Sequence, residues 1–471
     1  MFGNREGLPF SAANQAGVDA YDALIDAYAR FSPDLPQYLG AMFKADAQMP
    51  MAHCVHGYLQ LLGGKRELVA NAQAECDWLH DQEPLTAWET LHRNALRFWL
   101  RGDMAAARHS WEDTLTRWPR DFLALKLAQL GHFYAGEAEQ MRDAGNLAAV
   151  HWEPSSPLYG FLLGCQAFGY EECGDYAREE ALGRAAVAHN PDDLWAVHAV
   201  AHCMEMQDMP LAGIDWLDAC LARKPNGTLL SHLHWHRALM QIKAGRAEQA
   251  LDDYDAGLYG SSLEYLDVCN DTSLLLRLEL AGYDPAHRWA ELAERARVRS
   301  SDALLTFCDM HYALALASHE SQPERAAANL TASNPAVLNP AVLKQAPAMR
   351  PDSNALQLLL AAMRARSSAP TTDAAVLVSV GIALADGIVA WRRGNFAFAA
   401  TRLFEIRRRV VQLGGSNAQR ELFELILMDA AHKAGCHAEL QSLHAERLGR
   451  LPESAFRRQA MQAALERAQR G

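Results

Sequence analysis

The stretch Leu91–Pro119, LHRNALRFWLRGDMAAARHSWEDTLTRWP, decides the fold. An apolar helical run ends at Gly102-Asp103, a second follows with Ala107, Trp111 and Leu115 at helical spacing, and Pro119 closes it. The pattern is helix, tight turn, helix, stop. It recurs around Gly174-Asp175, where Ala177, Ala181 and Ala186 lead to Pro191, and around Asp208, where Gly213, Leu217 and Cys220 lead to Pro225. In all three the turn residue precedes the proline by 17 positions. Followed in both directions, the turn residues are Gly64, Gly102, Gly136, Gly174, Asp208, Gly245 and Gly282, in steps of 38, 34, 38, 34, 37 and 37. These steps bracket the period of about 34 residues of tetratricopeptide repeats. A hairpin of two amphipathic helices buries its apolar side only against its neighbours. The expectation is an all-α chain, a right-handed α-solenoid of tetratricopeptide-type helical hairpins.

The boundaries follow from where this rhythm starts and stops. Residues 1–46, helical from Ala16 to Phe31 but outside the period, read as an N-terminal cap on a repeat array over 47–333. An eighth, weaker hairpin is expected from Phe307 to Leu330, with its turn near Ser321. Pro335, Pro340, Pro347 and Pro351 mark a Pro-rich connection over 334–353. Beyond it, 354–471 reads as a further helical block, in which Gly394-Asn395 and Gly435 resume the pattern and Pro452 follows its glycine by 17.

Composition narrows the function classes. Of 471 residues, 44 are Lys or Arg and 57 are Asp or Glu, a net charge of -13 that opposes binding to a phosphate backbone, so no nucleic-acid partner is expected. The first residues contain no apolar segment of the kind that directs export. The most membrane-like stretch, Ala374 to Ala385, runs 12 residues before Asp386, short of the roughly 20 that a spanning helix needs, and reads as a buried helix. Nine scattered cysteines form no Cys-x-x-Cys pair, as expected of a cytoplasmic protein.

Setting each turn residue as the fifteenth position of its repeat puts a small residue at the eighth: Gly57, Ala95, Ala167, Ala201 and Ala238. In this register the first helices line a concave groove with Glu89 and His92, with Glu171 and Glu172, with His198, His202 and Glu205, and with His232, His236 lying at its edge. His311, with Asp309 two residues before it, falls in the weak eighth hairpin. His198, His202 and Glu205 are spaced i, i+4, i+7 and form one stripe. Peptide-binding grooves on such scaffolds carry Lys, Arg and Asn; this one carries imidazoles and carboxylates.

Two histidines at i, i+4 can ligate one ion, so His198/His202 and His232/His236, with Glu205 as a carboxylate ligand, make a candidate site for a divalent metal. Ala199 follows the first histidine where the zinc-peptidase motif needs Glu, so that mechanism has no support. A second reading is acid-base catalysis by His202 with Glu205 or His311 with Asp309. Glu89, His92, Glu171, His198, His232 and His236 would then bind a small polar ligand or a peptide. Cys203 diverges by about 100° from adjacent His202 on a helix and makes a poor nucleophile partner. The bland reading makes these residues hydrogen-bonded packing groups. Glu171 and Glu172 can equally be solvated charges at a helix end, and Ser416 and Arg420 read as a turn and N-cap, or more sharply as an anion site at a helix terminus.

Several stretches resemble the tetratricopeptide repeat protein 38 family: Val197 to His202 followed by Glu205-Met206, His232 to His236, Phe307 to His311, and Gly414 to Arg420, with Asp121 to Lys126, Met141 to Asp143 and Arg277-Leu278 also fitting, in order across most of the chain. The resemblance implies that His198, His202, Glu205, His232, His236, Asp309 and His311 match positions the family carries. His234 departs from an aromatic position, and the region of Gln129-Leu130 lacks a His-Asp pair. The resemblance implies a fold and a set of positions rather than a reaction. Taken together, the sequence predicts a polar site that binds a small polar ligand or metal ion, with acid-base or metal-assisted conversion of the ligand as its extension. The alternative is a non-catalytic protein-interaction scaffold.

Overall fold

The computed structural model describes residues 2–258, 262–285, 287–333 and 354–450. Apart from an antiparallel pair of two-residue strands that aligns Phe2 with Phe10 and Gly3 with Pro9, the regular structure among them is helical. The chain forms two compact units, the first drawn from Met1–Tyr259, Gly414–Arg420 and Gln441–Gly471, the second from Gly260–Leu413 and Glu421–Leu440.

In the first unit, helices Gln15–Ala29 and Leu35–Ala45 precede six hairpins: Pro50–Leu62 with Arg66–His80, Ala87–Leu100 with Met104–Arg117, Phe122–Ala135 with Ala138–Ala149, Tyr159–Glu172 with Tyr176–His189, Leu194–Met206 with Pro210–Leu221, and Leu230–Lys243 with Ala247–Asp255. Each turn is made where the spacing predicts it, by a residue in the left-handed region. Gly174 has φ 77°, and Asp208, the one non-glycine of the series, has φ 57°. A backbone that reverses direction in so few residues needs this conformation, which glycine adopts freely and aspartate tolerates. In two of the hairpins the next helix starts on an aspartate cap: Asp103 accepts from the Ala106 N–H and Asp175 from the Arg178 N–H.

Packing follows sequence order. The second helix of each hairpin lies against the first helix of the next, as Met104–Arg117 does on Phe122–Ala135 and Tyr176–His189 on Leu194–Met206. The small residues at the eighth position are where close approach demands them: a Cβ on Gly57 would sit 2.7 Å from Leu96 Cδ2, and Ala95, Ala167, Ala201 and Ala238 are fully buried. Every residue of Leu194–Met206 except Trp195 and Met206 is buried. A helix apolar on nearly all sides belongs to an interior, and this one carries its histidines with it.

In the second unit, Tyr265–Leu280 and Arg288–Arg299 form the hairpin at Gly282, φ 94°. The expected turn at Ser321 does not form: Thr306–Ser333 is one continuous helix. No glycine is present to reverse it, and the hydroxyls fold back on their own helix, Ser318 to Leu314 O at 2.6 Å and Ser321 to Ser318 O at 3.0 Å. Gly394 and Gly435 take positive φ at their turns, as the pattern predicts.

The apolar stretch around Ala374 also differs from expectation. Asp386 does not end it; the helix runs from Thr372 to Arg392, 21 residues, and Asp386 pairs with Arg364 at 2.8 Å. By length and composition this helix can cross a membrane, and 61% of its apolar window is buried inside the protein. The Pro-rich connection at 334–353 and Pro452 lie outside the described residues. All nine cysteines are free thiols.

Candidate metal centre

The site grows from two first helices of consecutive hairpins. Asp193 caps Leu194–Met206 by accepting from the Trp195 and Ala196 N–H groups, both at 3.0 Å, and one turn later His198 and His202 stand on one face. Leu230–Lys243 presents His232 and His236 at the same i, i+4 spacing. The four rings meet. Their centroids are 4.3 Å apart for His202 and His236, 4.4 Å for His198 and His202, and 4.8 Å for His198 and His232. One nitrogen from each can be chosen so that all four lie within 4.8 Å of one another, and the rings are 0–5% exposed.

Two distances decide what such a knot can hold. His232 Nε2 is 3.0 Å from His198 Nε2 and 3.3 Å from His236 Nε2. Two ligands about 2.1 Å from a common ion stand about 3.0 Å apart at a right angle and about 3.4 Å apart at a tetrahedral angle. The nitrogens of His198, His232 and His236 thus include two separations that ligands of one ion take. Burial pushes the pKa of His198 well down and lowers that of His202, which keeps both in the neutral, ligating form. Hydrogen bonds within the protein leave part of this set unused: neither ring nitrogen of His202 has a partner, nor does Nδ1 of His198.

Glu205 has a different place from the one the sequence suggests. It makes no hydrogen bond to His202 and points behind His236, whose Nδ1–H donates to Oε2 at 2.9 Å; Lys243 Nζ is 3.4 Å from Oε1. A carboxylate on Nδ1–H fixes the tautomer and turns the lone pair of Nε2 toward the other rings. Glu205 therefore stands where it would orient the His236 ring. Trp195 stacks on His198 with centroids 5.0 Å apart, and Trp235 stacks on His232 at 5.1 Å, so apolar rings wall the cluster. Both tryptophans sit three residues from their histidine, a spacing that was readable in the sequence and went unused.

On the other side of His202 lie Glu171 and Glu172, from the end of Tyr159–Glu172. Neither is the solvated charge that a helix end allows. Glu171 is fully buried, its Oε2 is 3.7 Å from His202 Nδ1, and its one hydrogen-bonding neighbour is the carboxyl of Glu172. Burial pushes its carboxyl up to about 8. Glu172 rises to about 7, first through burial and then through the charge of Glu171. The segment Gly414–Arg420 holds Glu172: the Asn417 N–H donates to Oε1 at 2.9 Å, and Arg420 Nη2 donates to Oε2 at 3.2 Å. Ser416 is the N-cap that the sequence predicts, accepting from the Gln419 N–H at 3.2 Å. The anion at this helix terminus is the protein's own Glu172 carboxylate. Gly414, φ 72°, is required here because a Cβ would collide with the backbone of Tyr134.

The remaining sequence candidates have other partners. Glu89 closes a capping box with Thr86 and accepts from the Ser11 N–H at 2.9 Å. His92 Nε2–H donates to Asp121 Oδ2 at 2.8 Å, and its Nδ1 is 3.3 Å from the Tyr58 hydroxyl. Neither residue lines an open groove; both are buried in a paired network. In the second unit, Asp309 and His311 do not form an acid-base pair: Asp309 accepts from Arg366, and His311 Nδ1–H donates to Phe307 O at 2.8 Å. Burial drives the Cys203 thiol far up, which removes it as a nucleophile. Compared with known protein-family models, the chain matches none.

Proposed function

We propose that this protein binds a divalent transition-metal ion through His198, His202, His232 and His236, in a stack of tetratricopeptide-type hairpins like those of the tetratricopeptide repeat protein 38 family. The observation that carries this reading is the convergence of four buried imidazole nitrogens within 4.8 Å. A packing role would pair those nitrogens with acceptors and donors, and an unpaired buried polar atom costs about 1–3 kcal/mol. His202 carries two such atoms. An ion accepts every lone pair at once.

An all-imidazole set suits zinc, copper, iron or nickel. With a tetrahedral ion the four nitrogens complete the sphere, as in closed structural sites; an ion of higher coordination keeps positions for a small molecule, and metal-assisted conversion belongs to that case. The buried carboxylates of Glu171, Glu172 and Glu205 offset a divalent charge that neutral imidazoles do not. The free thiols and net charge of -13 support a reducing compartment and oppose a nucleic-acid partner.

The test is elemental analysis of full-length protein purified without a histidine tag, before and after loading with zinc and copper. At least one ion per chain, with one ion fewer in His232→Ala than in the wild type, is the expected result. No ion in any loading overturns the proposal and returns the protein to the scaffold reading.

A further inference from the structure

We infer that Glu171, Glu172 and the Nδ1 edge of His202 form a second cation site, so that the first unit holds two ions with the His202 ring between them. This rests on the four-histidine reading for its first ion, but its own residues argue separately.

One ligand atom from each of Glu171, Glu172 and His202 can be chosen so that all three lie within 4.8 Å of one another. Acidic groups near each other are common and prove nothing. Here, however, Glu171 and His202 are both 0% exposed, and beyond the neighbouring carboxyl of Glu172 neither oxygen of Glu171 and neither nitrogen of His202 has a hydrogen-bond partner. Buried carboxylates and imidazoles in folded proteins are almost always satisfied. The one close approach between them, Glu171 Oε2 to His202 Nδ1 at 3.7 Å, is too long for a hydrogen bond. It is the separation of two ligands about 2.1 Å from one ion at an angle near 120°.

Ring geometry then divides the work. The lone-pair directions of Nδ1 and Nε2 diverge across the imidazole, so the two nitrogens of His202 cannot serve one ion. Nδ1 faces Glu171, which leaves Nε2 for the rings of His198, His232 and His236. Filling both nitrogens requires the neutral ring to release its single N–H proton to solvent as the second ion binds, leaving an imidazolate between the ions. Glu172 accepts the orienting hydrogen bonds that metal-bound carboxylates usually show: the Asn417 N–H and Arg420 donate to it from behind, leaving further lone pairs for the ion. The two donor sets also differ in kind. Four imidazoles favour borderline ions such as zinc and copper, whereas two carboxylates with one imidazole also accept manganese.

The experiment uses untagged full-length protein stripped with chelator, loaded with Zn²⁺, dialysed, and analysed for ions per chain, alongside Glu171→Gln, His232→Ala and the double variant. Far-UV circular dichroism and thermal melts check each fold, with Glu172→Gln as substitute should Glu171→Gln fail to fold. We expect two ions in the wild type, one in each single variant and none in the double variant. One ion in the wild type, kept by Glu171→Gln and lost by His232→Ala, overturns the second site and leaves the four-histidine site standing. One ion lost in Glu171→Gln and kept in His232→Ala upholds the carboxylate site and overturns the four-histidine one. A single ion lost in both variants is one mixed site and overturns the two-ion arrangement. No ion at all overturns both.

Discussion

His92 and His198 occupy the same register position, ten residues before Gly102 and Asp208 respectively, and the fold treats them oppositely. Both are buried on the first helix of a hairpin. His92 meets Asp121 on one nitrogen and the Tyr58 hydroxyl on the other, and Asp121 also accepts from Trp88 Nε1 at 2.6 Å and caps the helix Phe122–Ala135. His198 meets His232 on one nitrogen and nothing within the protein on the other. A buried histidine is thus no signal by itself. What marks a site is a set of buried polar atoms whose partners are each other's lone pairs.

The comparison breaks most sharply through deletion of the two rings. His92→Ala opens a paired network around a buried carboxylate and should lower stability by about 3 kcal/mol, with ion binding unchanged. In metal-free protein His198→Ala should cost only about 1 kcal/mol, because the cavity it leaves is offset by removal of an unpartnered nitrogen. Denaturant melts of the two variants measure both. Equal losses would make the His198 cluster an ordinary packed network.

Next in size is stabilisation by the ion itself. Free Zn²⁺ at a hundredfold excess over its dissociation constant should add about 2.7 kcal/mol to wild-type stability, a shift of several degrees in Tm. The His92 variant should keep the shift and the His198 variant should lose it. A smaller effect comes from the orienting carboxylate: Glu205→Gln should weaken Zn²⁺ affinity about 10- to 100-fold without changing the number of ions bound, read by competition with a coloured chelator.

The smallest effect concerns a single buried carboxyl. Glu179, on Tyr176–His189, is fully buried beside the Cys203 thiol, and burial, against the hydrogen bond of that thiol and with the charge of Glu171 adding to it, pushes its carboxyl up to about 8. The folded value lies above the unfolded one. The stability of the native state is therefore greatest below about pH 4.5 and falls as pH rises through 8, by at most about 1.4 kcal/mol per unit. Glu179→Gln should flatten this fall and gain on the order of 1 kcal/mol at pH 8, with ion binding untouched. A melt series from pH 5 to 8.5 that shows parallel curves would sink the assignment.

Much of this arrangement was legible in the sequence, and the failures are informative. The turn series from Gly64 to Gly282 could be read because a left-handed residue is a local demand of the backbone, met within a few residues. The two histidine pairs could be read because each keeps the i, i+4 spacing on the first helix of its own hairpin. The stripe that Glu205 shares with His198 and His202 is legible, but its hydrogen bond with His236 is not, since spacing tells which face a carboxylate shares and not whether a ring on another helix reaches it. The hairpin expected at Ser321 failed because serine has a competing use for its hydroxyl inside a helix. His311 and Asp309 were grouped by proximity in sequence, and each found a nearer partner.

By itself the sequence determined a chain of helical hairpins and placed an i, i+4 pair of imidazoles on each of two successive first helices, because periodicity and turn conformation are short-range properties. Only the tertiary structure decided that these rings are sealed from water, that Glu205 backs His236, and that Arg420 arrives from 248 residues away to hold Glu172. Burial and pairing depend on which distant side chains come into contact, and nothing in the local pattern of residues encodes that.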